Sequence, residues 1–178
     1  MSDINILKKR KPSQALIGAA GVHFVCGELS RLGFIALPTI RNTPGVDVSV
    51  ISPNGRKTVL QIKTSWSESH WLTPLENNIK EEDDYYFVFV NLKGDTQSGG
   101  TQSPEYYVVR SDFIKNYVAK SHKAWLQVPG RRGKVHSTEN KIRMFPVPER
   151  MFKEKPFREL LGEPIDLQKY QNKWEFLT

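Results

Sequence analysis

Cysteine is almost missing from this chain of 178 residues, in which Cys26 is the single example. One cysteine excludes a disulfide scaffold and a cysteine-rich zinc site, and it fits a reducing compartment. No apolar run reaches the roughly 18 residues that span a bilayer. No glycine-rich loop ends in Lys-Ser or Lys-Thr, so P-loop nucleotide hydrolysis has no support. A basic stretch followed by an apolar one imitates a signal peptide near the start, but His23 interrupts it. We therefore expect a cytoplasmic protein.

The composition is that of a globular protein with excess positive charge. Hydrophobic residues make up 38% of the chain and charged residues 25%, which fits neither disorder nor a coiled coil. Lysine and arginine number 26 against 19 acidic residues, a net charge of +7. At this length folding hides roughly 70% of the surface of the unfolded chain. We expect one domain over 1–178.

The positive charge is concentrated in a basic N-terminal arm, 1–12, and a basic loop region, 120–145. Between 120 and 143 seven basic residues face one acid, so seven minus one gives +6 of the +7. Mobile cations in a glycine-containing loop suit a phosphate backbone, although a solvated surface loop has the same composition. The candidate nucleic-acid-binding residues are Lys8, Lys9, Arg10, Lys11, Arg131, Arg132 and Lys134.

Hydrophobic periodicity gives a coarse order of elements. It predicts a helix from Ser13 to about Gly33, with its apolar stripe running from Leu16 to Leu32. Strands are predicted at 34–37, 46–51, 57–65, 85–92 and 105–110, and further helices at 111–119 and 148–161. The stretch 120–145 is predicted to be irregular. This order indicates an α/β (α+β) fold with a central mixed β-sheet flanked by helices.

The segment 44–66 contains polar residues that a strand seldom carries. Asp47 lies inside the second predicted strand, and Gln61 and Lys63 share one face of the third. The loop between them favours a type I turn with Gly55 in the left-handed region, a three-residue hairpin loop. Asp47 then lies opposite Gln61 and diagonal to Lys63. A two-residue turn would place Asp47 on the other face of the sheet.

Such a cluster suits metal-assisted phosphodiester hydrolysis. The Asp47 carboxylate and the Gln61 amide oxygen are hard ligands for Mg²⁺ or Mn²⁺, and the Ile62 carbonyl is a candidate third ligand. Lys63 would orient or deprotonate the attacking water, or neutralise charge on the phosphorane. The alternative is a solvated polar stripe with a diagonal Asp47–Lys63 ion pair of about 0–1 kcal/mol.

The helix, followed by Pro44-Gly45-Val46-Asp47 and Gln61-Ile62-Lys63, resembles the PD-(D/E)XK nuclease superfamily in its Q-x-K form. The resemblance covers about 13–93 and implies a restriction-endonuclease-like fold. It further implies a metal-dependent DNA endonuclease or exonuclease, with Asp47 and Gln61 near the metal and Lys63 near the water. Because double-strand cutting often uses a symmetric dimer, a homodimer is one expected assembly.

The chain departs from that pattern in its first helix. Many members carry a glutamate there, and the matching position is Val22. Glu28 is the available acid, either as a relocated catalytic group or as a surface partner of Arg31. Since Gln61 is neutral, two alternatives stay open. One is a catalytically degenerate nucleic-acid-binding protein of the same fold, and the other is an assembly or regulatory module that meets an acidic protein.

Overall fold

The computed structural model describes residues 11–40, 44–94, 102–130 and 133–178. Three α-helices and seven β-strands lie in these ranges. The helices are α1 (Gln14–Arg31), α2 (Ser111–Gln127) and α3 (Lys155–Leu161). The strands are β1 (Ile35–Pro38), β2 (Val48–Ile51), β3 (Lys57–Ser65), β4 (Trp71–Thr73), β5 (Tyr85–Asn91), β6 (Glu105–Arg110) and β7 (Arg143–Phe145).

Five strands form the central sheet in the order β1-β2-β3-β5-β6. Strands β1, β2 and β3 form an antiparallel meander, β3 and β5 run parallel, and β5 and β6 are antiparallel. Strands β4 and β7 pair with each other in a separate two-stranded sheet. The fold is therefore a mixed α+β fold with helices flanking the sheet, as the sequence predicts.

Both faces of the sheet carry a core, and β5 is buried along its whole length. Helix α1 covers one face, together with Trp174 and Leu177 from the C-terminal end. Helix α2 and the β4–β7 pair cover the other face over β5 and β6. At the β1 edge that second face stays open, because Ile35 and Leu37 are 54% and 53% exposed.

Helix α1 begins where the sequence predicts, and its buried stripe agrees with the prediction at Val25 and Leu29 but departs from it in the first half of the helix. The Ser13 hydroxyl accepts a hydrogen bond from the Leu16 amide at 3.4 Å, as an N-cap does. The buried residues are Ile17, Gly21, Val25 and Leu29, whereas Leu16 is 63% exposed. The helix lies on Gly21, where an added Cβ would collide with Thr64 of β3. A hydropathy pattern does not mark a glycine as a contact residue, so it places the first half of the buried stripe at Leu16 and not at Ile17 and Gly21.

The described parts of 120–145 contain more regular structure than the sequence predicts. Helix α2 continues to Gln127 because Ser121 and Ala124 extend its buried face, and β7 begins at Arg143. The helix predicted over 148–161 is instead a 3₁₀-helix, Glu149–Lys153, followed by α3, which starts with Pro156 in its first turn.

No helix in the described ranges is long and apolar enough to cross a membrane.

Candidate functional site

The hairpin loop between β2 and β3 has the predicted geometry. The Ser52 amide donates to the Arg56 carbonyl at 2.9 Å, the Gly55 amide donates to the Ser52 carbonyl at 2.9 Å, and Gly55 has a φ of 88°. The loop therefore has three residues, and Val48 lies opposite Leu60. The predicted register of the β2–β3 hairpin is confirmed, and the ladder ends one pair before Asp47.

Asp47 lies at the point where the β2–β3 ladder ends. Its amide donates to the Leu60 carbonyl at 2.8 Å, the acceptor opposite the next residue along the strand, so the chain bends here. Its carboxylate reaches sideways, and Oδ2 accepts the Ile62 amide at 2.6 Å. The carboxylate thus binds the backbone of β3 instead of standing directly over Gln61 as the register alone predicts. On the β1 side, the Thr39 amide donates to the Asp47 carbonyl at 3.0 Å and holds the bend.

The same geometry directs the Ile62 carbonyl. In a β-strand the N–H and the C=O of one residue point to the same side. Since the Ile62 amide faces Asp47 past the end of the ladder, the Ile62 carbonyl faces the same edge. A carboxylate and a backbone carbonyl therefore face one gap between diverging strands.

Lys63 is partly buried on β3 beside this gap. Desolvation of the ammonium lowers its pKa, and the Asp47 carboxylate opposes the shift by favouring the charged form. In the part of the chain that the structure describes, no hydrogen bond or ion pair holds the Lys63 ammonium. Lys63 is therefore close enough to Asp47 to feel its charge and remains available to a third group.

Tyr85 of β5 joins the two motif segments. Its hydroxyl donates to the Gly45 carbonyl and lies 3.3 Å from Gln61 Oε1. Burial, and then the charges of Asp47 and Glu82, raise the pKa of Tyr85 to about 12, so the phenol stays protonated at neutral pH. Gly45 has a φ of 76°, and a Cβ there would lie 2.9 Å from the hydroxyl. Tyr85 thus fixes the loop before Asp47 against Gln61.

Sequence reasoning missed Tyr85, because it lies in a strand whose pattern indicates only core. The parallel register places Val59 beside Tyr85 and Gln61 beside Phe87. Only that register brings the hydroxyl to Gln61, and the register of a crossover connection cannot be inferred from local periodicity.

An open depression of about 680 Å³ lies beside Asp47, between the first half of α1 and the end of β1. Val22 lines it, so the position at which the resembled family carries a glutamate faces the same space as Asp47. His23 also lines it. Among the described residues, Asp47 and His23 are the two titratable groups that line the depression.

Glu28 is not brought to this site. Its carboxylate pairs with Arg31 at 2.7 Å, one helical turn away, and the hydrogen bond from Arg31 lowers the pKa of Glu28. It lines a separate depression with Phe24 and Tyr106. The structure thus places Glu28 in the surface pair that was the alternative to a catalytic role.

Most of the predicted nucleic-acid-binding residues lie outside the described ranges, namely Lys8, Lys9, Arg10, Arg131 and Arg132. Lys11 and Lys134 are exposed. Arg143, one of the seven basic residues between 120 and 143, is 6% exposed and pairs with Glu76 at 2.7 Å. It is a buried structural charge and does not contribute to a basic surface.

The predicted ligands are hard oxygen donors, which Mg²⁺ and Mn²⁺ prefer. The Asp47 carboxylate and the Ile62 carbonyl face the gap, whereas the Gln61 amide oxygen lies at the Tyr85 hydroxyl. Neither Gln61 nor Lys63 lines the depression beside Asp47. One Asp47 oxygen is used by the Ile62 amide, and the other has no hydrogen bond to a described residue. Within those residues no group of three or more His, Cys, Asp or Glu side chains is placed to hold a metal.

Comparisons with protein-family models, with curated proteins and with solved structures give no match to this chain.

Proposed function

We propose that this protein is a metal-dependent DNA nuclease that hydrolyses phosphodiester bonds. The observation that carries the proposal is the Asp47 carboxylate, bound to the Ile62 amide at 2.6 Å where β2 leaves β3, beside the Lys63 ammonium, which has no ion-pair partner among the described residues. A charged lysine that is partly desolvated and unpaired is unfavourable for folding. Its retention at this place is explained by an anionic ligand that completes the site.

Asp47, Gln61 and the Ile62 carbonyl would hold Mg²⁺ or Mn²⁺, which supplies Lewis acidity toward a phosphate oxygen and lowers the pKa of a water. The residues of the chain provide the rest. Lys63 neutralises charge on the pentacovalent phosphorane, or in its neutral form accepts a proton from the attacking water. Its lowered pKa enlarges the neutral fraction. Tyr85 and Thr39 hold the Asp47 loop in place, so the carboxylate meets the substrate already oriented.

Plasmid cleavage in the presence of Mg²⁺ tests the proposal. We expect the wild-type protein to cut, and Asp47→Asn and Lys63→Ala to lose about 100-fold or more in rate, the effect of removing one electrostatic group from a transition state. Lys57→Ala, at the exposed start of the same strand, and Glu163→Gln, an exposed carboxylate elsewhere, are matched controls that should cut normally. Equal cleavage by the Asp47 and Lys63 variants and the wild type would refute the proposal.

A catalytically degenerate DNA-binding protein of the same fold is the second candidate. The observation that favours it is the charge of the donor set, in which Asp47 is the one carboxylate and already accepts a hydrogen bond. Under this function the wild-type protein binds duplex DNA with a steep salt dependence but leaves the plasmid intact. Absence of DNA binding at low salt would instead favour an assembly or regulatory module.

A further inference from the structure

A second cavity lies away from Asp47, between the C-terminal half of α2, β7 and the 3₁₀-helix Glu149–Lys153. Its volume is about 280 Å³, and it shares no lining residue with the Asp47 depression in the described ranges. Drug-sized ligands occupy roughly 300–1,000 Å³, so this cavity is sized for one ring system. Its walls are mainly apolar and include Trp125, Met144, Met151 and Phe157.

One wall of the cavity carries the Trp125 and His122 rings, and His136, which does not line the cavity, stacks on Trp125. The Trp125 and His136 rings have centroids 3.7 Å apart at 19°, and the Trp125 and His122 rings have centroids 5.8 Å apart at 20°. The stack holds the indole of Trp125 in place, so the cavity has a rigid aromatic wall, and aromatic rings are favourable contacts for planar heterocycles. The wall therefore suits a planar ligand.

Buried Arg143 organises the other side. It binds Glu76 through two nitrogens, at 2.7 and 3.2 Å, and donates to the carbonyls of Asn140 and Ile142 at 2.8 and 3.1 Å. Its charge is thus already compensated, and its role is to fix the turn before β7. The Asn140 side chain is oriented by the same turn, because its Oδ1 accepts the Ile142 amide at 2.7 Å.

Two polar groups left open at the cavity, the Asn140 amide nitrogen and the Arg150 guanidinium, are donors. The Asn140 amide nitrogen has no partner among the described residues, and neither does the exposed Arg150 guanidinium. The His122 Nε2 atom is enclosed and also unpartnered there. No carboxylate lines the cavity in the described ranges. A planar anionic ligand with hydrogen-bond acceptors would match the aromatic wall, the Asn140 amide and the Arg150 guanidinium.

We propose that this cavity binds a nucleotide, with the base against the Trp125 wall and the phosphate at Arg150. A base fills a ring-sized cavity, base carbonyls accept from the Asn140 amide, and phosphate pairs with guanidinium. The chemistry is the same for a free nucleotide and for a base turned out of a single strand. The site is independent of cleavage at Asp47 and goes beyond the proposed function.

Calorimetric titration in EDTA tests this site with three probes: thymidine 5′-monophosphate, a ten-residue oligothymidylate, and a ten-residue abasic strand. We expect one or both thymine probes to bind. Arg150→Ala should weaken that binding about tenfold, since it removes a charge-assisted hydrogen bond. Trp125→Leu should weaken it about tenfold by removing the aromatic wall that the base contacts. Lys153→Ala, an exposed cation of the same 3₁₀-helix that does not line the cavity, is the matched control and should bind as the wild type does.

The probes also separate the two sources of the ligand. Binding of the mononucleotide at least as tight as that of the oligonucleotide indicates a free nucleotide. Tighter binding of the oligonucleotide, abolished with the abasic strand, indicates a base within a strand. If Trp125→Leu fails to melt cooperatively, Arg150→Ala against Lys153→Ala decides alone. The proposal is overturned if neither thymine probe binds, or if Arg150→Ala binds both as tightly as Lys153→Ala.

Discussion

Among single residues, Lys63 is one whose charge opposes the stability of the fold. Its ammonium is desolvated on β3, and the attraction of Asp47 compensates only in part, so its pKa is lowered. An unfolded lysine has the ordinary pKa of 10.5. Between the lowered folded pKa and 10.5 the unfolded chain binds more protons than the native one, so the free energy of unfolding rises with pH there. Below the folded pKa both states are protonated, and the desolvation penalty is complete.

Replacing this lysine by an apolar residue of similar length should therefore stabilise the fold. We expect Lys63→Met to melt above the wild type at pH 7, with the difference shrinking as the pH rises through the folded pKa of Lys63 toward 10.5. Thermal melts across the alkaline range measure this. Lys57→Met, at an exposed position of the same strand, should show no such difference. A Lys63→Met protein that melts below the wild type at pH 7 would contradict the desolvation of the ammonium.

The residues of the site differ in how far the sequence could predict them. Gln61 and Lys63 follow from strand alternation, and the register of Asp47 follows from the turn chemistry of Pro53 to Gly55. The sideways path of the Asp47 carboxylate could not be predicted, because it depends on where the ladder stops. Tyr85 could not be predicted either, because it reaches Gln61 only through the parallel pairing of β3 and β5.

Among the elements, the packing of α1 on β3 depends on one missing side chain. Gly21 is buried against Thr64, and the helix approaches the strand so closely that a Cβ has no room. Gly27 lies in the same helix, but an added Cβ there meets nothing within 4 Å. Substitutions at these two glycines therefore measure two different effects: the packing of α1 on β3 at Gly21 and the helix propensity of the residue at Gly27.

These two positions should respond oppositely to alanine. Gly21→Ala should lower the free energy of unfolding by about 1–3 kcal/mol through overpacking, because the colliding group is a β-branched strand residue that cannot move aside. Gly27→Ala should raise it by about 0.5–1 kcal/mol through helix propensity. Urea unfolding measures both values. A stabilising Gly21→Ala substitution would mean that α1 does not lie on Thr64.

Helix α1 and the β2–β3 hairpin were predictable because their signals are local: an N-cap serine, a change of period and a turn that only certain residues make. The stretch 120–145 was not predictable. Its polar residues hide the buried Ser121 and Ala124 of α2, and Arg143 starts a strand because Glu76, far along the chain, compensates its charge. Composition alone predicts that a charged residue is exposed to solvent, and it fails when the residue pairs with a partner distant in sequence.

Across the whole molecule, the charge excess divides into surface and interior parts. Arg143 belongs to the interior, so the basic surface of 120–143 has at most six of its seven cations. Phosphate binding depends on exposed cations, because each neutralised phosphate releases counterions. Mutating loop cations such as Arg131 and Arg132 should therefore change DNA binding, whereas mutating the buried Arg143 should change stability.

We expect the triple substitution Arg131→Ala, Arg132→Ala and Lys134→Ala to weaken binding to duplexes of unrelated sequence about equally. The slope of log affinity against log salt should become shallower by about 0.9 for each phosphate that the loop no longer neutralises. Arg143→Gln should keep that slope but lower the melting temperature, since it leaves Glu76 unpaired beside a buried site. Fluorescence anisotropy at several salt concentrations measures the slope. An unchanged slope in the triple variant would show that the loop does not contact DNA phosphates.

The two neighbours of β3 reach it by unequal routes. Strand β2 arrives through a tight loop, whereas β5 returns only after residues 66–84 and in parallel orientation. Closing the longer loop costs more conformational entropy, and contacts between residues distant in sequence form more slowly. The hairpin can therefore form early in synthesis. The hydrogen bond from Tyr85 to Gly45, next to Asp47, forms only after β5 has joined the sheet. In a nascent chain, Asp47 and Lys63 would be in register before Tyr85 fixes the loop that precedes Asp47, so the cluster reaches its final orientation late in folding.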